Sequence, residues 1–183
     1  QMQLVVYMDA AVKAEQRKYP DAEVKPAGIF YYNVKDPMLQ KEMEDDLDGL
    51  DPEIFKKLKM NGLVMADRDV IEGLDKTTIS LPLSYTTKGE LRKGSSVADE
   101  QGFALLGAYV KKKITDIREA ILDGNAEVSP YEMGNRNACT YCPYQGTCGF
   151  DRKIPGYEFR RLKQFADDEI WKAFAKEVDD EWE

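Results

Sequence analysis

Histidine is absent from this sequence. That excludes Ser-His-Asp and Cys-His nucleophile pairs, a histidine general base and any histidine-containing zinc site. Long apolar runs are missing as well. No stretch approaches the roughly 18–20 residues of a membrane-spanning helix, and no signal-peptide pattern opens the chain. A basic excess is also lacking: 26 Lys and Arg stand against 34 Asp and Glu, a formal charge of −8. This argues against a dedicated nucleic-acid-binding module but leaves room for a local basic patch. Cysteine is scarce, three residues in all, and an odd count disfavours a disulfide framework. Together these absences predict a soluble, cytoplasmic protein.

What is present fits a folded chain. Its 183 residues, 43% hydrophobic and 33% charged, suffice for one domain or slightly more, with a real core. The sequence opens on Gln1 and runs at once into Leu4-Val5-Val6-Tyr7-Met8. A chain starting inside an apolar helix is expected to be a fragment.

Residues 3–18 predict an amphipathic helix, with Leu4, Met8 and Ala11 at helical spacing and Pro20-Asp21 ending it. Ala27 to Val34 is a short apolar run between prolines, which predicts a strand covered on both faces. A helix leading to such a strand suggests part of an α/β sheet whose other strands lie upstream. Glu42 to Glu53 is acidic without a base, a solvated connector. A helix is expected from Pro52 to Leu58 with Asp51 as cap and Asn61-Gly62 as its end, and a second from Asp67 to Leu74. Ile79, Leu81, Leu83 and Tyr85 alternate and predict an edge strand, with Pro82 on its other face and a hairpin turn at Lys88-Gly89.

The strongest helix signal runs from Ala98 to Leu122. Phe103, Leu106, Val110, Ile114, Ile117 and Ile121 are spaced 3, 4, 4, 3 and 4 apart, one continuous stripe. Ser96 with Asp99 forms a capping-box pattern, and Gly124 supplies the stop. An irregular stretch, Ser129 to Asp151, holds every cysteine, and an acidic helix of about Asp167 to Trp182 follows.

Cys139-Thr-Tyr-Cys142-Pro-Tyr-Gln-Gly-Thr-Cys148 is the most informative segment. C-x2-C lets two thiolates turn onto one metal, and Pro143 and Gly146 supply turns that bring round a third. Structural zinc and iron–sulfur clusters both want four ligands. A fourth would come from outside this chain segment, from another chain, or from a carboxylate such as Asp151. Arg152, Lys153, Arg160 and Arg161 follow, interleaved with Phe150, Tyr157 and Phe159, and form a candidate DNA-backbone contact.

A Q-x-x-x-Y at Gln3 and Tyr7, then Lys25-Pro-Ala-Gly-Ile-Phe-Tyr-Tyr32 and Lys35-Asp-Pro-Met38, then Asn135-Arg-Asn-Ala-Cys139-x2-Cys142-Pro-Tyr-x3-Cys148-x2-Asp151 occur in one order. In this order and spacing the chain resembles, over nearly its whole length, the C-terminal end of the nuclease domain of the AddB family. AddB-type proteins are subunits of ATP-dependent helicase–nucleases that process broken DNA ends for recombination. The resemblance implies a mixed α/β, restriction-endonuclease-like nuclease domain of PD-(D/E)XK type, seen in part, with helical and hairpin additions. It divides the chain into the end of the nuclease core (1–40), a helical and hairpin insertion with the long helix (41–128), and the cysteine cluster with the terminal helix (129–183). It implies Mg²⁺-dependent hydrolysis in the full protein, with Gln3 and Tyr7 as an auxiliary motif near the substrate phosphate or catalytic acids. Cys139, Cys142 and Cys148 would be three ligands of a [4Fe–4S] cluster whose fourth cysteine lies upstream, a structural staple. DNA and an AddA-type subunit would be the partners.

The catalytic Asp and the (D/E)-x-Lys pair of such nucleases should precede Q-x-x-x-Y and are not found here, so this chain alone is expected to be inactive. Asp21-Ala-Glu23-Val-Lys25 mimics the motif but falls on the wrong side of the Q-x-x-x-Y helix. Two other readings compete: a metal-stapled interaction module without catalysis, and part of a stand-alone four-cysteine exonuclease.

Overall fold

The structure is a computed structural model and describes residues 2–32, 34, 54 and 57–179. It divides into two compact units, Gln1–Val110 and Lys111–Glu183.

The first unit opens with α1 (Met2–Lys18), as the apolar spacing predicts. Only Val5 is buried on this helix. Its exit is fixed by Gln16, whose amide group donates to the carbonyls of Tyr19 and Ala22 and whose oxygen accepts from the Val24 amide. One side chain thus satisfies the turn that would otherwise leave backbone groups unpaired.

Three strands follow in the order β1-β2-β3. They are β1 (Gly28–Tyr31), β2 (Asn61–Met65) and β3 (Val97–Ala98). β1 and β2 are antiparallel, with Gly28 opposite Val64 and Phe30 opposite Gly62; β2 and β3 are parallel. β1 falls where a strand is expected, but it is half-buried and ends on exposed Tyr31 and Tyr32, so both faces are not covered. The central strand β2 corrects the reading of Asn61-Gly62 as a helix end. Gly62 is there for close approach: a Cβ would stand 1.9 Å from the Ile29 carbonyl oxygen, so only glycine lets the two backbones pair.

Helix α2 (Arg68–Leu74) is capped by Asp67, which accepts from the amides of Asp69 and Val70. Val64, Ile71, Leu81 and Leu83 form the buried core, with Phe30, Met60, Tyr85, Leu91 and Val97 packed around it. The alternation of 79–85 therefore reports burial correctly, yet no ladder strand forms. The Ser80 amide donates to Asp75, Pro82 has no N–H, and the Ser84 amide donates to the Ser95 hydroxyl. With its donors spent on side chains, the segment contributes only acceptors, taking bonds from Met60, Arg92 and Ser96. The Lys88-Gly89 turn is present, closed by the Tyr85–Leu91 bridge, with Gly89 at φ +78°.

Helix α3 (Glu100–Leu122) begins two residues later than expected because Val97 and Ala98 belong to β3. Asp99 alone caps it, accepting from the Gly102 amide. The Ser96 hydroxyl instead donates to the Gly62 carbonyl, which corrects the capping-box assignment. The helix ends as predicted at Gly124, φ +71°. Gly124 N–H bonds the Ile121 carbonyl and Asn125 N–H the Ala120 carbonyl, a Schellman closure. Phe103 and Val110 are buried, whereas Ile114, Ile117 and Ile121 are exposed, so only the first half of the stripe is core.

The second unit contains β4 (Tyr131–Met133), β5 (Arg136–Asn137), the short helix α4 (Gln145–Cys148), β6 (Arg160–Arg161) and α5 (Asp167–Asp179). The strand order is β5-β4-β6, antiparallel then parallel. Lys113 is ion-paired to Asp116 and Glu177, which ties the end of α3 to α5. Most of the acidic connector, and most of the helix expected from Pro52 to Leu58, lie outside the described residues. No helix among the described residues is long and apolar enough to cross a membrane.

Candidate metal centre and nucleic-acid face

The three cysteines sit in one loop system, and Asn137 at the end of β5 shapes it. Its side-chain oxygen accepts from the Cys139 amide at 2.9 Å, the Thr140 amide at 2.9 Å and the Thr140 hydroxyl at 3.0 Å. This Asx turn sends the chain round at once. The Cys142 amide then bonds the Cys139 carbonyl, closing the C-x2-C turn. Tyr144 opens α4 and its carbonyl accepts the Thr147 and Cys148 amides, and Gly149 in the left-handed region (φ +71°) ends that turn.

All three thiols are free of disulfides and line a single pocket of about 240 Å³ with Phe150, Asp151 and Phe159. The wall is aromatic: Phe150 lies 5.0 Å from Phe159 and 5.7 Å, edge-on, from Tyr157. Among the described residues no three Cys, Asp or Glu side chains are gathered tightly enough to hold a metal ion as they stand. Asp151 lines the pocket, but one of its carboxylate oxygens accepts the Lys153 amide. The Asx turn at Asn137 was not anticipated, although an Asn two residues before the first cysteine is a readable signal for one.

Arg152 borders the thiol pocket and lies 5.7 Å from the centre of the Phe159 ring, a cation–π geometry. Strand β6 is held beside β4 by the Arg160 amide to the Pro130 carbonyl and the Leu162 amide to the Glu132 carbonyl. Arg152, Lys153, Arg160 and Arg161 are all exposed. Arg161 is the most encumbered, 3.8 Å from Glu132. A second cavity, about 220 Å³, opens between Arg152, Arg161 and Glu132. The lysines of α3 are a weaker candidate surface, since Lys112 pairs with Asp116, and Lys113 with Asp116 and Glu177.

In the first unit, Gln3 and Tyr7 share one face of α1. The Gln3 amide donates to the Tyr7 hydroxyl at 2.6 Å, and both residues are exposed. The lookalike at Asp21 to Lys25 does not assemble as a metal site. Lys25 lies 3.3 Å from Glu23 and 4.0 Å from Glu100. Its pKa is raised above the ordinary value, first by its hydrogen bond to Glu23 and then by the charges of Glu23 and Glu100.

Residues 1–149 match the family model of the PD-(D/E)XK nuclease superfamily, and the chain belongs to that superfamily. Its mixed α/β content and small mixed sheets accord with part of a restriction-endonuclease-like domain. The chain is 38% identical, over 97% of its length, to the AddB component of the ATP-dependent helicase/deoxyribonuclease of Lachnoclostridium phytofermentans. It is 35% identical over 97% to that of Thermoanaerobacter pseudethanolicus and 34% over 98% to that of Bacillus velezensis. In each case it spans 16% of the relative's length.

Proposed function

We propose that this chain forms part of the nuclease domain of an ATP-dependent helicase–deoxyribonuclease subunit that processes double-strand DNA breaks for recombinational repair, working beside an AddA-type subunit. Membership of the superfamily supports the nuclease reading, and the names of the relatives support the subunit. The observation that carries it furthest is the joint presence of the paired Gln3–Tyr7 motif and a single pocket lined by all three thiols.

The pocket favours a cluster over a lone zinc. Zinc would draw its sulfurs to about 2.3 Å from one point, whereas thiols spread around a cavity wall suit separate irons. Cys139, Cys142 and Cys148 would hold a [4Fe–4S] cluster together with a fourth ligand supplied from beyond this chain. Bound there, it supplies a cross-link, removing conformational freedom from the unfolded chain as a long-loop disulfide does. Phe150 and Phe159 exclude water from the thiols, and Asn137 sets the loop that aims them.

Hydrolysis in the whole protein is assigned to a carboxylate–lysine site with Mg²⁺, which activates water and steadies phosphate charge. This chain contributes Gln3 and Tyr7, whose shared hydrogen bond holds both polar groups on one helix face. Arg152, Lys153, Arg160 and Arg161 offer charge to the DNA backbone.

Incubating the purified chain with labelled linear DNA and Mg²⁺ or Mn²⁺ tests the division of labour. No cleavage by the chain alone, with cleavage by the full gene product, is expected. Robust degradation by the chain alone would overturn it.

A further inference from the structure

The tyrosines of the cysteine loop are displayed rather than buried. Tyr141, between Cys139 and Cys142, is 96% exposed, and Tyr144 is 70% exposed. Such rings are costly to leave in water, and Tyr is ordinarily half-buried at least. Neither is needed for packing: the wall of the thiol pocket is supplied by Phe150 and Phe159. The loop nevertheless holds them in place through the Asn137 turn and the Cys142–Cys139 hydrogen bond.

Their surroundings decide between partners. Residues 139–148 contain no Leu, Ile, Val or Met, so the rings do not head an apolar patch of the kind that anchors a protein interface. Across the thiol pocket stands Arg152. Residues 150–163 carry five bases against two acids in a chain whose overall charge is −8. Exposed rings beside a locally positive strand match single-stranded nucleic acid, whose bases stack on aromatic faces while cations follow the phosphates. A duplex keeps its bases stacked inside and offers such rings little.

We infer that Tyr141 and Tyr144 form a base-stacking platform for unpaired DNA, with Arg152, Arg160 and Arg161 receiving the backbone. This rests on the DNA reading above and adds to it which form of DNA the cysteine loop engages and through which side chains. It also gives the loop a second role: whatever fixes the thiols fixes the platform.

The test is fluorescence anisotropy of the purified chain with a labelled oligothymidine and with a blunt duplex, at low salt. Y141A and Y144A should each weaken oligothymidine binding roughly five- to a hundredfold, Y141F should restore most of it, and duplex binding should change little. Because both rings are exposed, the alanine variants should keep the wild-type circular dichroism spectrum. If Y141A/Y144A binds oligothymidine like wild type while R160A/R161A binds more weakly, the platform is overturned and the DNA reading stands. An equal loss on strand and duplex also overturns the platform. If the wild-type chain binds neither DNA, or the arginine variants bind both unchanged, the DNA reading falls and takes the platform with it.

Discussion

Replacing Asn137 by Ala should loosen the cysteine loop without unfolding the protein. The Asn137 oxygen receives three donors, at 2.9, 2.9 and 3.0 Å. One carbonyl oxygen has two lone pairs, so three donors count as about two good bonds. At a net of about 0.5–1.5 kcal/mol each, and towards the low end because the Thr140 donors are exposed, the loss is about 1–2 kcal/mol. That corresponds to roughly a five- to thirtyfold rise in the open population of the loop. Hydrogen exchange reads this directly, because the Cys139 and Thr140 amides are the donors released. Their protection should fall by that factor in N137A, whereas amides in α3 should be unchanged. N137D, which keeps an acceptor at the same place, should restore protection. In iron-loaded full gene product, N137A should also lose its colour faster to a chelator. Unchanged exchange at Cys139 and Thr140 would refute the assignment of Asn137 as organiser of the site.

Other consequences are equally concrete. Gly62→Ala places a Cβ 1.9 Å from the Ile29 carbonyl oxygen, and should cost about 2 kcal/mol or more in urea denaturation, or prevent β1 from pairing. Asp75 accepts from the amides and hydroxyls of both Thr77 and Ser80, and its pKa is pulled far below the ordinary carboxylate range, chiefly by the Ser80 and Thr77 hydroxyls. A depressed carboxylate stabilises the fold above its unfolded value of about 3.9. The advantage of wild type over Asp75→Asn, about 1–2 kcal/mol at neutral pH, should therefore shrink from about pH 5 downwards; a gap independent of pH would contradict this. Tyr7→Phe breaks an exposed hydrogen bond and should change stability by less than about 0.5 kcal/mol, so a lowered cleavage rate in the full nuclease would report the motif's part in the chemistry.

The sequence made some of this plain and hid the rest. α1, α2, most of α3 and the Gly124 stop follow from apolar spacing and caps, which are local. β2 was hidden because Gly62 reads as punctuation, and its use depends on Ile29 from a distant strand. The 79–85 segment alternates like a strand, yet Asp75 and Ser95 take its donors, a matter of hydrogen-bond partners rather than hydrophobic pattern. The exposed half of the α3 stripe shows the same limit, since periodicity states which face is apolar and not what covers it. At the site, the cysteine spacing named the pocket's thiols. It did not name Asn137, which builds the turn, nor Phe150 and Phe159 as the wall behind them.

The claim at the centre is that the three thiols belong to an iron–sulfur staple of a DNA nuclease. Anaerobic purification of the full gene product, with a visible spectrum and iron and sulfide counts, tests it most directly. A brown protein with about four iron and four sulfide per chain, bleached when Cys139, Cys142 or Cys148 becomes serine, is the expected result. A colourless protein holding one zinc would contradict it.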